Sequence, residues 1–280
     1  MKNKSLLLAL LVLIIVFSGC GAEEGIYYRD RVAILMYHHL DWEESPSTIS
    51  PTRFASQVGM LAEEGFNIIS LEDLGAFLEG TGEVPPNAVV LTFDDGYASV
   101  YHHAFPLLKE KEYPATVFMI VSRIGNQEKE IPKLTWEMMG EMQDSGISFQ
   151  SHTYDSHHYV VVNEKGEEKP ALAAHIYDPV TGRRETATER GYRLREDLRL
   201  SRTLLEQGLG GRVEYLAVPY GWYDEVVVET AREVGFRYLL TIKTGINTRR
   251  TDPFRILRIN AGSPQISPED LKKSIIKAAR

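Results

Sequence analysis

Short apolar runs alternate with segments of helical periodicity along most of this chain. The apolar runs predict strands at 32–37, 67–70, 88–93, 115–120, 147–150, 215–218, 238–242 and 256–259. Apolar positions spaced three and four apart predict helices at 51–64, 71–79, 97–111, 136–144, 188–207, 224–234 and 268–279. The polar segment 160–186 predicts a loop or hairpin over this framework. Strands that alternate with helices predict an α/β fold with a parallel sheet.

A further apolar run, residues 6–17, lies near the start of the chain and resembles a signal sequence rather than a strand, because it is short and follows positively charged residues. Residues 6–17 are too few to span a membrane comfortably, and the run ends at Cys20 in a Phe-Ser-Gly-Cys sequence that resembles a bacterial lipobox. We therefore expect residues 1–20 to be a lipoprotein signal peptide and 21–30 a short linker. The exported protein would be anchored outside the cytoplasmic membrane by lipid on Cys20. A plain secretory signal with an incidental cysteine is the alternative.

Composition narrows the class of protein further. The chain is 43% hydrophobic and 25% charged, which is ordinary for a globular domain, and residues 31–280 are enough for one α/β barrel. A net charge of −8 argues against nucleic acid as a partner. Cys20 is the only cysteine in the sequence, so the domain has neither a disulfide framework nor a sulfur ligand for a metal.

Two adjacent carboxylates, Asp94 and Asp95, stand at the end of the predicted strand 88–93. Neighbouring side chains on a regular strand point to opposite faces, but Gly96 allows a turn that aims both acids at one point. Crowded carboxylates can divide their work, one binding a cation and the other handling protons. The alternative is an ordinary polar turn, since Asp and Gly are common turn residues.

A histidine-rich segment follows the predicted strand 147–150, and it contains His152 and His157. A spacing of five does not suit one helix face, but a loop can bring both imidazoles onto one ion. With a carboxylate they would form a two-histidine, one-carboxylate set that leaves positions open for water and substrate. The alternative is a polar loop that happens to contain histidines. Histidine also occurs elsewhere in the chain, at positions 38, 39, 102, 103 and 175.

The candidate motifs share a position relative to the predicted strands. His38, Asp94 with Asp95, His152 with His157, and the Pro-Tyr-Gly sequence 219–221 each follow a strand. In a parallel barrel the carboxyl ends of the strands lie at one face, which is where such folds place their chemistry. The sequence therefore predicts that these residues form a single site.

These motifs resemble those of the polysaccharide deacetylase family, carbohydrate esterase family four. Thr92-Phe93-Asp94-Asp95 matches the first family motif without change. His152, Thr153 and His157 match the second with one extra residue, and the sequence 219–221 matches the third, although Ala217 stands where arginine is usual. The longer spacing, the missing arginine and the opening segment 34–39 are similar to the branch that acts on poly-β-1,6-N-acetylglucosamine. The resemblance spans roughly residues 30 to 260.

The resemblance implies a fold and a reaction. The fold would be a distorted (β/α) barrel of about seven parallel strands, circularly permuted relative to most of the family, with 31–280 as the catalytic domain. The reaction would be metal-dependent N-deacetylation of an N-acetylglucosamine polymer, and exopolysaccharide export machinery would be a further partner. One divalent ion would be held by Asp95, His152 and His157; zinc is expected first, with nickel, cobalt and iron also compatible.

The resemblance also implies catalytic roles. Asp94 would be the general base, and the backbone N–H of Tyr220 would stabilise the oxyanion. Members of the family usually end in a strand with a histidine that acts as the general acid, but the predicted strand 256–259 contains no histidine. In the permuted order His38 takes that role, with His39 as the neighbouring alternative. The sequence leaves open which residue positions Asp94 in place of the missing arginine.

Aromatic residues beside the motifs are candidates for stacking on sugar rings. Tyr97, Tyr154 and Trp222 are predicted in this role, with core packing as the alternative. Three rival functions remain open at this point. One is a deacetylase of peptidoglycan, chitin or xylan. Another is a non-haem iron oxygenase, which shares the two-histidine, one-carboxylate set but needs no adjacent second carboxylate. The last is a catalytically weak glycan-binding surface lipoprotein.

Overall fold

The computed structural model describes residues 25–126 and 131–280, and a parallel sheet forms the centre of this part. Its strands are β1 (Val32–Tyr37), β2 (Asn67–Ile68), β3 (Ala88–Phe93), β4 (Ala115–Met119), β5 (Ile147–Ser151), β6 (Tyr215–Ala217), β7 (Tyr238–Leu240) and β8 (Ile259–Asn260). They lie in the order β7-β6-β5-β4-β3-β1-β8, with β2 paired to the start of β3. Each of these pairings is parallel, which confirms the predicted α/β class.

The segment 253–260 links the two edges of this sheet. At its start, Ile256 bridges Leu240 of β7 in parallel, and the Thr241 N–H donates to the Ile256 carbonyl at 2.9 Å. At its end, β8 pairs with β1, where Ile259 lies opposite Leu35. The sheet is therefore curved into a distorted (β/α) barrel, and the predicted strand 256–259 is split between two neighbours. The circular permutation stays a prediction.

Helices cover the outside of the barrel. They are α1 (Pro51–Glu63), α2 (Leu71–Leu78), α3 (Phe105–Glu110), α4 (Trp136–Gln143), α5 (Ala187–Leu209), α6 (Glu225–Val234) and α7 (Pro268–Ala278). The predicted helix 97–111 is regular only in α3, because a π-helical turn, Val100–Ala104, precedes it. Pro106 explains this irregularity, since proline has no N–H to bond the carbonyl four residues earlier.

Alternating strand residues form two apolar layers. On β1, Val32 and Ile34 belong to the barrel interior, while Ala33, Leu35 and Tyr37 face the surrounding helices. The predicted signal peptide 1–20 and the first part of the linker lie outside the described residues. Within the described part of the chain, none of the helices is long and apolar enough to cross a membrane.

The predicted loop or hairpin region extends from β5 to α5. It contains two short antiparallel pairs, Tyr159–Val161 with Glu168–Pro170 and Tyr177–Asp178 with Arg183–Arg184. The hairpin alternative is therefore confirmed. The first pair places Tyr159 beside the end of the barrel at which the predicted motifs lie, because its ring centroid is 4.9 Å from that of Tyr220.

Candidate active site

Asp94 and Asp95 lie in a turn that continues β3. The Asp94 N–H donates to the Tyr37 carbonyl at 2.9 Å, so the turn stays joined to β1. Asp95 has a φ of 72° and Gly96 a φ of 65°, which reverses the chain into the barrel mouth. A Cβ on residue 96 would lie 2.5 Å from the Met119 Cε, so the turn also needs glycine for space. This backbone sends both carboxylates into one cavity of about 360 Å³.

The predicted metal ligands meet in this cavity. The Asp95 Oδ1 is 3.4 Å from the His152 Nε2 and 3.1 Å from the His157 Nε2, and the three candidate ligand atoms all lie within 4.8 Å of one another. Two ligands at about 2 Å from a tetrahedral ion are about 3.3 Å apart, which agrees with these separations. The buried Asp95 Oδ1 also has no hydrogen-bond partner among the described residues. The donor set and its geometry therefore fit a divalent cation.

A hydrogen bond to the backbone fixes the tautomer of His152. Its Nδ1 lies 2.7 Å from the carbonyl of Ala217 on β6, and a carbonyl can only accept. The Nδ1 must therefore carry a proton, and in the neutral imidazole this leaves the Nε2 lone pair directed to the cavity. Burial alone would raise the pKa of Asp95, but the two neighbouring imidazoles hold it well below its ordinary value. The ligand set is thus prepared with an ionised carboxylate.

Arg258 positions Asp94 in place of the arginine that is missing at position 217. It lies in the segment that links β7 to β8, and its side chain is 0% exposed. Its Nη1 and Nη2 donate to the two carboxylate oxygens of Asp94 at 2.7 and 2.8 Å, while its Nε donates to the Thr241 carbonyl at 2.9 Å. Burial alone would raise the pKa of Asp94, but the charge and hydrogen bonds of Arg258, together with the charges of His152 and His38, outweigh burial and lower the pKa. Asp94 is therefore held ionised and oriented by an arginine from the segment that precedes β8.

The signal for Arg258 was present in the sequence. An arginine within the predicted buried strand 256–259 needs a buried partner, and the carboxylate without an assigned counter-ion was Asp94.

His38 and His39 separate into different environments. His38 lines the cavity with Asp94 and Asp95, and burial lowers its pKa against the attraction of these carboxylates. The His39 Nδ1 is 2.8 Å from the Ser99 Oγ, and His39 lines a separate cavity of about 620 Å³. The geometry therefore favours His38 over His39 for contact with a reacting group.

The predicted aromatic residues do not share one location. Tyr97 lines the cavity, whereas Trp222, which directly follows the Pro-Tyr-Gly turn, is 53% exposed. Tyr154 does not reach this cavity. It packs against the hydrophobic core and lines a different cavity beside α5. The reason is local, because Thr153 has a φ of 72° and reverses the chain just before it.

Tyr220 stands in a row of aromatic rings that leads from the ligands to the surface. Its φ is 57°, its ring centroid is 4.4 Å from that of His157, and on the other side Tyr159 lies 4.9 Å away. Tyr159 is 50% exposed and was not identified from the sequence, because it lies in the hairpin region rather than beside a motif. Tyr220 therefore lines the cavity, and Tyr159 lies beside it toward the surface.

Comparison with known proteins agrees with this geometry. A sequence profile described as "Polysaccharide deacetylase" matches residues 81–239. The chain belongs to the polysaccharide deacetylase family. The matched segment contains both aspartates, both histidine ligands and the Pro-Tyr-Gly turn of this family member, whereas His38 and Arg258 lie outside it.

Individual relatives are distant but cover most of this deacetylase-family chain. It is 26% identical over 281 residues to the poly-beta-1,6-N-acetyl-D-glucosamine N-deacetylase of Escherichia coli (strain K12), which covers 88% of this chain but only 41% of that relative. A de-N-acetylase from Aggregatibacter actinomycetemcomitans superposes with a TM-score of 0.80 at 27% identity, covering 88% of this chain and 100% of that one. The BpsB deacetylase domain from Bordetella bronchiseptica gives 0.73 at 28% identity, covering 82% and 95%.

Proposed function

We propose that this chain is a metal-dependent N-deacetylase that removes acetyl groups from poly-β-1,6-N-acetyl-D-glucosamine. The observation that carries this proposal is the buried combination of the ligand set Asp95, His152 and His157 with an ionised Asp94 held by Arg258 in the same cavity. The relatives named for this polymer support the choice of substrate. Zinc is the proposed ion, because two imidazoles and one carboxylate are typical ligands of catalytic zinc.

Each catalytic residue has a definite task in this proposal. A divalent ion bound by the ligand set would supply Lewis acidity, polarising the acetamide carbonyl and acidifying a water. Asp94 accepts the proton of the attacking water, and Arg258 keeps its carboxylate ionised and correctly turned. The Tyr220 backbone N–H donates to the negative oxygen of the tetrahedral intermediate. His38 donates a proton to the amine nitrogen as the C–N bond breaks, releasing acetate and a glucosamine unit.

The aromatic pair Tyr159 and Tyr220 supports a sugar substrate. Tyr220 lines the cavity beside His157, Tyr159 is 50% exposed next to Tyr220, and aromatic rings are suited to stacking on the apolar face of a sugar ring. We assign Trp222, which is exposed just after the Pro-Tyr-Gly turn, to a more distant sugar unit of the polymer.

We also propose that the protein is exported and anchored by lipid on Cys20, and that exopolysaccharide export machinery delivers its polymer. The support is the signal-like apolar run that ends at the only cysteine of the sequence. A Cys20→Ser variant should move from the membrane fraction to the medium or extracytoplasmic fluid.

Acetate release tests the proposed reaction. Purified protein should release acetate from poly-β-1,6-N-acetylglucosamine without oxygen, lose this activity with a chelator and regain it with zinc. The Asp94→Asn variant should bind zinc normally but release no acetate, because Asp94 lies outside the ligand set. Faster release from peptidoglycan, chitin or xylan would reassign the substrate. A zinc-loaded wild type that releases none from any of them would contradict an enzymatic function.

A further inference from the structure

The loop between the two histidine ligands is fastened to helix α5 by a single carboxylate, that of Asp197. One oxygen of this carboxylate accepts the backbone N–H of Tyr154 at 2.9 Å. The other accepts the backbone N–H of Asp155 and the hydroxyl of Ser156, both at 2.9 Å. Three consecutive residues that lead directly to His157 are therefore held by one side chain.

The opposite side of the loop is bound by the turn that follows β4. The Val121 N–H donates to the Thr153 carbonyl at 3.2 Å, and the Ser122 N–H donates to the Tyr154 carbonyl at 2.9 Å. The loop carbonyls thus face this turn, while the loop N–H groups face Asp197. The Ser122 hydroxyl also donates to the Asp155 Oδ1 at 2.7 Å, and the Arg123 Nη2 donates to the His157 carbonyl at 3.4 Å, so the loop is held from both sides.

The two ligands depend on this loop to different degrees. His152 directly follows β5, and its own ring is bonded to the Ala217 carbonyl. His157 stands at the far end of the loop, is more exposed at 17%, and has its Nε2 3.1 Å from the Asp95 Oδ1. A displacement of about 1 Å is enough to spoil a metal-ligand geometry. Loosening of the loop should therefore move His157 before it moves His152.

We propose that Asp197 is a positioning residue that holds His157 in place for the divalent cation. This inference rests on the metal site of the proposed function and not on its substrate. The fold gives α5 other anchors, so the helix does not need Asp197 to stay in place. Leu194 and Leu198 are buried in the core, and Arg190 forms a bidentate pair with Asp224 at the start of α6.

Metal affinity tests the proposal without any polysaccharide. In the full chain, Asp197→Asn keeps the shape of the side chain but replaces one of its two accepting oxygens by an NH2 donor that faces a donor of the loop. Zinc affinity, measured by competition with a chromogenic chelator, should fall by about 10-fold or more, as for other residues that orient metal ligands. The visible spectrum of the cobalt-loaded variant should change as His157 leaves the ion. Glu196→Gln is the matched control, because Glu196 bonds Arg199 on the surface of the same helix.

A double-mutant cycle separates positioning of His157 from general damage to the fold. In a His157→Ala background, Asp197→Asn should cost little further zinc affinity, since the ligand it positions is gone. Ser156→Ala removes one of the three bonds and should give a smaller loss than Asp197→Asn. Equal losses in both backgrounds, or an unchanged affinity in Asp197→Asn and Ser156→Ala, would overturn the proposal. A wild-type chain that binds neither zinc nor cobalt would overturn the metal site itself.

Discussion

Replacing Arg258 by methionine tests the central electrostatic pair of the site. The variant fills similar space but leaves the Asp94 carboxylate, whose side chain is 3% exposed, without its cation. Removal of one partner of a buried ion pair costs about 3–5 kcal/mol, because the remaining charge stays buried. For a domain of this size, that corresponds to a fall in Tm of roughly 10 °C. Acetate release at neutral pH should be lost as well, because Asp94 loses both its orientation and its low pKa.

The effect on stability should depend on pH with a definite sign. In the wild type the folded-state pKa of Asp94 lies below the ordinary value of 3.8, so the pair stabilises the fold above that pH and ceases to do so at lower pH. In Arg258→Met, burial raises the pKa of Asp94, so the variant is destabilised at neutral pH and recovers as the carboxyl takes up a proton. The difference in Tm between the two proteins should therefore narrow as the pH falls toward 3.8.

Thermal unfolding of metal-free protein, followed by circular dichroism from acid to neutral pH, measures this difference. The control is Arg255→Met. Arg255 lies in the same segment, but its side chain is 58% exposed and its nitrogens come no closer than 3.6 Å to the carboxylates of Glu225 and Asp252. The double variant Asp94→Asn with Arg258→Met should be more stable than Arg258→Met alone, since no buried charge remains. An Arg258→Met protein that melts with the wild type at neutral pH would refute the reasoning.

Three further predictions follow from the same geometry. If His38 is the general acid, kcat/KM for acetate release should fall as the pH rises through the pKa of His38, which lies below 6.5. A His38→Gln variant that shows the same fall at high pH would contradict this role. Trp222→Ala should raise KM for long polymer with little change in kcat or Tm, since the ring is half-exposed; equal loss on short oligomers would argue against a distant sugar contact. Gly221→Ala should cost about 1–2 kcal/mol in urea unfolding, because φ is +69° there; an unchanged midpoint would contradict this.

The sequence was sufficient for the parts of the site that local pattern determines. Apolar runs located β1, β3, β4 and β5 to within a residue or so, since buried parallel strands have continuous apolar sequences. The position after such strands predicted one shared site, and the family resemblance assigned Asp95, His152 and His157 as its metal ligands. Asp95, His152 and His157 each come directly from a strand end or the loop beyond it, and these ends meet at one face of a parallel barrel.

Long-range partners and side-chain directions could not be predicted in this way. Arg258 and Asp94 are 164 positions apart, and only closure of the barrel brings them together. Tyr154 is adjacent to the ligand loop in sequence, but the backbone reversal at Thr153 sends its ring to the core. Tyr159 comes to lie beside Tyr220 only through a hairpin whose register depends on its own pairing. Proximity along the chain was a poor guide in both tyrosine cases.

Closure of the barrel by its C-terminal segment has a consequence for biosynthesis. A growing polypeptide exposes Asp94 long before the guanidinium that pairs with it has been made, because the ribosome must add 164 further residues. Until then the Asp94 carboxylate lacks its counter-ion. Completion of the site therefore depends on the segment just before the last strand, and a product truncated before residue 258 would contain Asp95, His152 and His157 but not the partner of Asp94.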